Sequence, residues 1–165
     1  MKTKPEWFVD VYNKFKLHFY REVFSRFQDR EASLTTTEAF CIDIIYNLDR
    51  PTIHEFAEFA NISAPNAAYK VNSLIKKGYI EKVRSQKDRR EYHLRVTERY
   101  LGYYRISCNY IEDVIDRVRT RFPEEDIDVF EGILEAIACE LTPEIDIPLH
   151  ALEGKKPHPK DSSLA

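Results

Sequence analysis

Between Thr52 and Val96 the spacing of apolar residues changes once, at Gly78, from a three-to-four period to a period of two, and few folds accommodate that order. Thr52 and Glu55 have the spacing of a capping box, in which the hydroxyl accepts from a first-turn amide while the carboxylate accepts from the cap amide. A short helix therefore starts at Thr52 and turns Ile53, Phe56, Ala57 and Ala60 to one buried face. It stops near Ala60, and Asn61 follows, a residue that tolerates the left-handed backbone of a tight interhelical turn. Ser63 is placed to cap a second helix, with Pro65 in the first turn, where a missing amide proton breaks no intrahelical bond. That helix runs to Gly78, a C-cap glycine, with Ala67, Val71, Leu74 and Ile75 facing inward. Ala64, Pro65, Asn66, Ala68, Tyr69 and Lys70 are left near its exposed N-terminal end.

Beyond Gly78, residues 79–84 read as one strand and Tyr92 to Val96 as its partner, with Tyr92, Leu94 and Val96 on one side and His93 and Arg95 on the other. The loop between them, Ser85-Gln-Lys-Asp-Arg-Arg90, holds three cations and one carboxylate at a hairpin tip. Helix, turn, helix and basic hairpin make a winged helix-turn-helix, in which the start of the second helix meets base edges. From Ser63 to Arg99 ten Lys/Arg stand against four Asp/Glu, a local charge of +6 that leaves −9 on the rest of a chain whose net charge is −3. A basic patch on an acidic body suits one directed DNA face better than general nucleic-acid binding. The expected DNA contacts are Ser63, Ala64, Pro65, Asn66, Ala68, Tyr69, Lys70, Lys87, Arg89 and Arg90. Asn66 suits adenine and Lys70 suits phosphate.

The run Gly78-Tyr-Ile-Glu, the Ser85-Gln-Lys-Asp-Arg-Arg90 loop and the Leu94-Arg-Val-Thr97 close resemble the corresponding parts of the MarR family of bacterial transcriptional regulators. With the helices on both sides, the resemblance covers roughly residues 5–141. It implies a homodimer on a pseudopalindromic operator in double-stranded DNA, acting as a repressor released by a small-molecule effector. It also implies that Asp88 pairs with Arg90 to fix the wing while an arginine enters the minor groove. A winged helix that binds protein instead of an operator is the alternative.

The flanking sequence fits a helical dimerisation lobe, so the fold class is mainly α. Residues 5–30 read as one helix, with Phe8, Tyr12, Phe15, Phe19, Val23 and Phe27 along one stripe and Trp7, Val11, Tyr20 and Phe24 along another. Thr35 and Glu38 form a second capping box, opening a three-turn helix that carries Phe40, Cys41, Ile44, Ile45 and Leu48 and ends before Pro51. From Thr97 a long helix keeps heptad spacing through Leu101, Tyr104, Cys108, Ile111, Ile115, Val118 and Phe122, a seam that seeks another helix. After Pro123 and its acids a last helix carries Ile127, Phe130, Leu134, Ile137 and Leu141. The expected divisions are a dimerisation helix at 1–34, the winged module at 35–97, dimerisation helices at 98–141 and an extended tail at 142–165.

Other chemistry has little support. Four scattered glycines build no phosphate loop, and five histidines and three cysteines show no metal-site spacing, so neither cofactor nor metal is expected. His18 and His54 read as hydrogen-bonded helix residues rather than ligands. Cys41 and Cys108 lie on apolar faces, where a thiol behaves as a small hydrophobe with a raised pKa. No nucleophile or carboxylate pair converges to suggest an enzyme. No run approaches the roughly 20 apolar residues that span a bilayer, and no signal-peptide core opens the chain, so a cytoplasmic protein without membrane contact is expected. The family's effector site, between the helix at 35–48 and the dimerisation helices, directs attention to Phe15, Phe19, Phe40 and Tyr46.

Overall fold

The computed structural model describes residues 3–26, 34–85 and 90–145. Its elements in chain order are α1 (Lys4–Arg26), α2 (Thr36–Asn47), α3 (Ile53–Phe59), α4 (Ala64–Lys76), β1 (Ile80–Arg84), β2 (Tyr92–Val96), α5 (Glu98–Arg121) and α6 (Glu124–Cys139). The described residues are mainly α with one antiparallel hairpin, the expected winged helix-turn-helix flanked by long helices. It divides into a winged unit of α2 through β2 and a helical unit of α1, α5 and α6.

Local rules explain most of the winged unit. Thr52 Oγ1 accepts from the Glu55 amide at 3.2 Å and Glu55 Oε2 accepts from the Thr52 amide at 2.7 Å, so the capping box is complete. The bond from the Thr52 amide is the main reason the Glu55 carboxyl is held below its usual range. Asn61 takes φ 49°, the left-handed conformation expected of it. Gly78 does the same at φ 76°. Its amide donates to the Ile75 carbonyl while the Tyr79 amide donates to Leu74, which is a Schellman motif with Tyr79 and Leu74 both buried beside it. The chain then enters β1, where Ile80 pairs with Val96 and Arg84 with Tyr92 at the ends of a five-pair ladder. The Leu94 amide donates to the Pro51 carbonyl at 2.8 Å, fastening the hairpin to the start of α3.

Ile42, Ile45, Phe56, Val71, Leu74, Tyr79, Ile80 and Leu94 make the core of this unit. Several sequence expectations shift. Ile53 and Ala60 are only half-buried, and Tyr92, expected beside Leu94 on the inner face, is 48 % exposed at the wing end of the ladder, where it lines an open recess with the start of α3. On α2 it is Ile42 that joins Cys41 and Ile45 inside, whereas Phe40 is 58 % exposed. Ser63 has the extended backbone of an N-cap, yet its hydroxyl makes no capping hydrogen bond. Pro65 occupies the second position of the helix and removes one of the two amides a cap hydroxyl normally serves.

In the helical unit aromatic rings hold α1 to α5. Phe19 meets Tyr103 edge-on with centroids 5.1 Å apart, and Phe15 meets Tyr110 at 5.2 Å. His18 lies parallel to Tyr110 at 3.6 Å, and its buried Nδ1 has no hydrogen-bond partner among the described residues. The buried face of α5 is Tyr100, Tyr103 and Ile106, not the heptad seam. Leu101, Tyr104, Cys108, Ile115 and Val118 are half-buried, and Ile111 and Phe122 are exposed. Helix α6 buries no residue, and Val129, Phe130, Ile133 and Leu134 are exposed on it. Trp7, Phe8, Val11, Tyr12 and Tyr20 are likewise exposed on α1. The end of the expected first helix beyond Arg26, and the tail beyond Ile145, lie outside the described residues.

Candidate nucleic-acid interface

Helix α4 is sharply divided. Ala67, Val71 and Leu74 are completely buried, while Ser63, Ala64, Pro65, Asn66 and Tyr69 are exposed, Tyr69 by 75 %. With about 3.6 residues per turn, Pro65, Tyr69, Asn72 and Lys76 form the stripe farthest from the core. Ala68 and Lys70 are half-buried. Lys70 falls on the flank facing α2, and its positive charge reaches the Cys41 thiol. Burial outweighs that charge and keeps the thiol above its ordinary pKa, as expected of a cysteine on an apolar face.

One turn and two turns beyond Lys70, the same flank meets a carboxylate that the sequence assigned to a helix cap. Glu38, 8 % exposed at the start of α2, accepts from Ser73 Oγ at 2.7 Å through Oε1 and from Lys77 Nζ at 2.6 Å through Oε2. Sequence reasoning missed this bridge. The only available signal was an acid in the first turn of one helix and a basic residue at the end of another.

The exposed face of the hairpin carries charge of both signs. Arg95 donates to Glu81 at 2.7 Å, directly across the ladder, so one of the module's cations is already neutralised by its neighbour. Lys82, Arg84 and Arg90 are exposed. Lys82, Arg90, Glu55 and Glu91 stand around an open recess of about 430 Å³ between the wing end of the hairpin and the start of α3, where cations and carboxylates balance. His93 Nδ1 lies 2.9 Å from the Arg50 carbonyl, which can only accept, so that nitrogen carries the proton. This contact braces a link in which Asp49 and Arg50 both have positive φ, 50° and 62°. Lys87, Asp88 and Arg89, and with them the expected Asp88–Arg90 pair, lie outside the described residues.

The four aromatic residues considered for an effector divide evenly. Phe15 and Phe19 are half-buried in the helical unit against Tyr110 and Tyr103, while Phe40 and Tyr46 are on α2 in the winged unit, exposed and half-buried respectively. No group of histidine, cysteine or carboxylate side chains among the described residues could hold a metal ion. No described helix is long and apolar enough to cross a membrane.

A short capped helix, a left-handed turn, a second helix with its N-terminal arc exposed and an antiparallel hairpin packed behind it define a winged helix-turn-helix protein. Residues 34–92 match the MarR family. Solved structures extend the likeness over both units. The Streptococcus pneumoniae regulator FabT in complex with DNA is 25 % identical, with a TM-score of 0.55 over 83 % of this chain and 94 % of that one. The transcriptional regulator Tm0710 of Thermotoga maritima is 15 % identical, with a TM-score of 0.59 over 84 % of this chain and 96 % of that one. A MarR-like regulator from the same organism, tm0816, is 24 % identical at a TM-score of 0.53, covering 85 % of this chain and all of that one. No curated protein matches the chain in sequence.

Proposed function

We propose that the protein is a homodimeric repressor that sets α4 into the major groove at each half of a pseudopalindromic operator in double-stranded DNA and is released by a small-molecule effector. The observation that carries this reading is the contrast on α4 between a fully buried face and an exposed N-terminal arc of Ser63, Ala64, Pro65, Asn66 and Tyr69. An Asn side chain offers one donor and one acceptor to adenine, and Tyr69 brings an exposed ring to the same arc. Lys70 and the uncommitted Ser63 hydroxyl suit phosphate. Lys87, Arg89 and Arg90 add contacts from the wing, one of the two arginines entering the flanking minor groove, where a narrow A·T-rich stretch favours a guanidinium, and Asp88 steadies the tip by pairing with Arg90. The likeness to a regulator solved with DNA adds support.

The homodimer rests on the apolar side chains left exposed along α1, α5 and α6, too many for a solvated helix face. Two recognition helices in successive major grooves require half-site centres roughly 34 Å apart. The effector is taken to act through Phe15, Phe19, Phe40 and Tyr46.

Selection of duplex DNA by the purified protein, followed by a salt titration on the recovered sequence, tests the reading. A two-fold related motif and a steep salt dependence are expected. Failure to select any motif, with salt-insensitive association to a protein partner, would establish the winged helix as a protein-binding module. Replacing Arg89 and Arg90 together by Ala should weaken operator binding and flatten the salt slope by about one unit per lost phosphate contact.

A further inference from the structure

We propose that Glu38 is a positioning residue for base readout: through Ser73 and Lys77 it fixes the rotation of α4 about its own axis, and with it the angle at which Asn66 and Tyr69 meet the duplex. This assignment rests on α4 being the recognition helix. The apolar contacts of α4 do not fix that angle alone. Ala67, Val71 and Leu74 hold the helix to the core, but apolar burial is non-directional and tolerates small rotations. Hydrogen bonds are directional. Here two of them leave positions one helical turn apart, at 2.7 and 2.6 Å, and end on the two oxygens of one carboxylate. The carboxylate is itself fixed, because Glu38 is buried in the first turn of α2.

Asn66 is seven residues before Ser73 and eleven before Lys77, so all three follow one stripe of α4 at about 3.6 residues per turn. A rotation that carries Ser73 away from Glu38 therefore turns Asn66 by the same angle. On a helix with a side-chain radius of about 5–6 Å, a turn of roughly 20° moves a side-chain tip by about 2 Å. That shift is enough to lose a base-edge hydrogen bond about 3 Å long, yet too small to alter contacts with phosphates that flexible cations can follow. Sequence discrimination is thus the property the clamp protects. Lys77 is spent in the clamp and does not join the phosphate contacts.

The test compares affinity for the selected operator with affinity for a scrambled duplex of equal length, in the parent and in Glu38→Gln, Lys77→Met, Lys77→Arg and Ser73→Ala, together with the motif each protein selects. Glu38→Gln and Lys77→Met should lower operator affinity about tenfold, the factor one charge-assisted hydrogen bond corresponds to. Affinity for the scrambled duplex and its salt slope should stay at the parent's values, and the motif should broaden at the bases under α4. Lys77→Arg should keep most of the discrimination. Ser73→Ala removes one bond and no charge, so it serves if the charge variants fold poorly, and it should show a smaller loss of the same kind. A parent motif and an unchanged operator-to-scrambled ratio in Glu38→Gln and Ser73→Ala would overturn the proposal, as would an equal loss on both duplexes. If the parent itself selects no motif, it is the recognition-helix reading that fails.

Discussion

Replacing Gly78 by alanine tests the joint on which the winged module turns. Gly78 has φ 76°, and its amide and that of Tyr79 close the two hydrogen bonds of a Schellman motif at 2.9 and 3.0 Å. Those bonds end α4 and send the chain into β1, whose first residue, Ile80, is buried next to the buried Tyr79. A Cβ in this left-handed conformation costs about 1–2 kcal/mol. Alanine regains part of that, roughly 0.4–1 kcal/mol, by restricting the unfolded chain. The net expectation is a loss of about 1 kcal/mol, equivalent to roughly 2–4 °C in Tm for a chain of this size. Asparagine tolerates the left-handed region, so Gly78→Asn should lose less than half as much. Urea unfolding of the three proteins at one fixed concentration measures this, the fixed concentration removing any effect of self-association. Parent, alanine and asparagine proteins of equal stability would refute the reasoning. So would an asparagine variant less stable than the alanine one, because the cost would then come from crowding and not from backbone conformation.

The capping box predicts a pH dependence: Glu55 has a depressed carboxyl pKa, so its contribution is fully present above the ordinary carboxylate range and disappears as pH falls through the depressed value. The stability gap between the parent and Glu55→Gln, followed by urea unfolding, should be widest at neutral pH and shrink in acid, while Thr52→Ala should cost about 1 kcal/mol at neutral pH. Tyr69→Ala, at an exposed position, should change stability by less than about 0.5 kcal/mol yet weaken operator binding in a fluorescence anisotropy titration, and unaltered binding would remove Tyr69 from the interface. Ile111→Glu should shift the protein to a monomer in light scattering and abolish tight operator binding with it, and a stable dimer would relocate the interface away from this part of α5.

What the sequence made legible in the winged unit is what short-range chemistry decides. Thr52 and Glu55, three residues apart, close their box as expected, and Asn61 and Gly78 take the left-handed conformations their side chains permit. Ser63 failed as a side-chain cap for an equally local reason, the proline two positions on, so that error was avoidable. The Glu38 bridge was not. Its partners are 35 and 39 residues away, and no pattern in the chain announces that a first-turn carboxylate will be turned toward another helix.

The helical unit shows a different kind of illegibility, in which two correct periodicities overlap. On α5 the seam through Leu101, Tyr104, Cys108 and Ile111 lies one residue, or about 100°, from the stripe of Tyr100, Tyr103 and Ile106 that is in fact buried. Both stripes are apolar at helical spacing, and the buried one is rich in tyrosine, whose ring suits the interior as well as a leucine does while its hydroxyl reads as polar in a sequence. Periodicity says that a helix is amphipathic but not which of two adjacent stripes its own chain covers. The aromatic partners on α1 make that choice: Phe19 takes Tyr103 and Phe15 takes Tyr110, and the heptad seam is left half-covered. A helix that keeps a second regular apolar stripe after its own chain has packed is built to meet another helix, and α6, with no buried residue and four large apolar side chains exposed between Val129 and Leu134, has the same need. The half-covered heptad seam is therefore the feature of the sequence that argues most directly for a second copy of the chain.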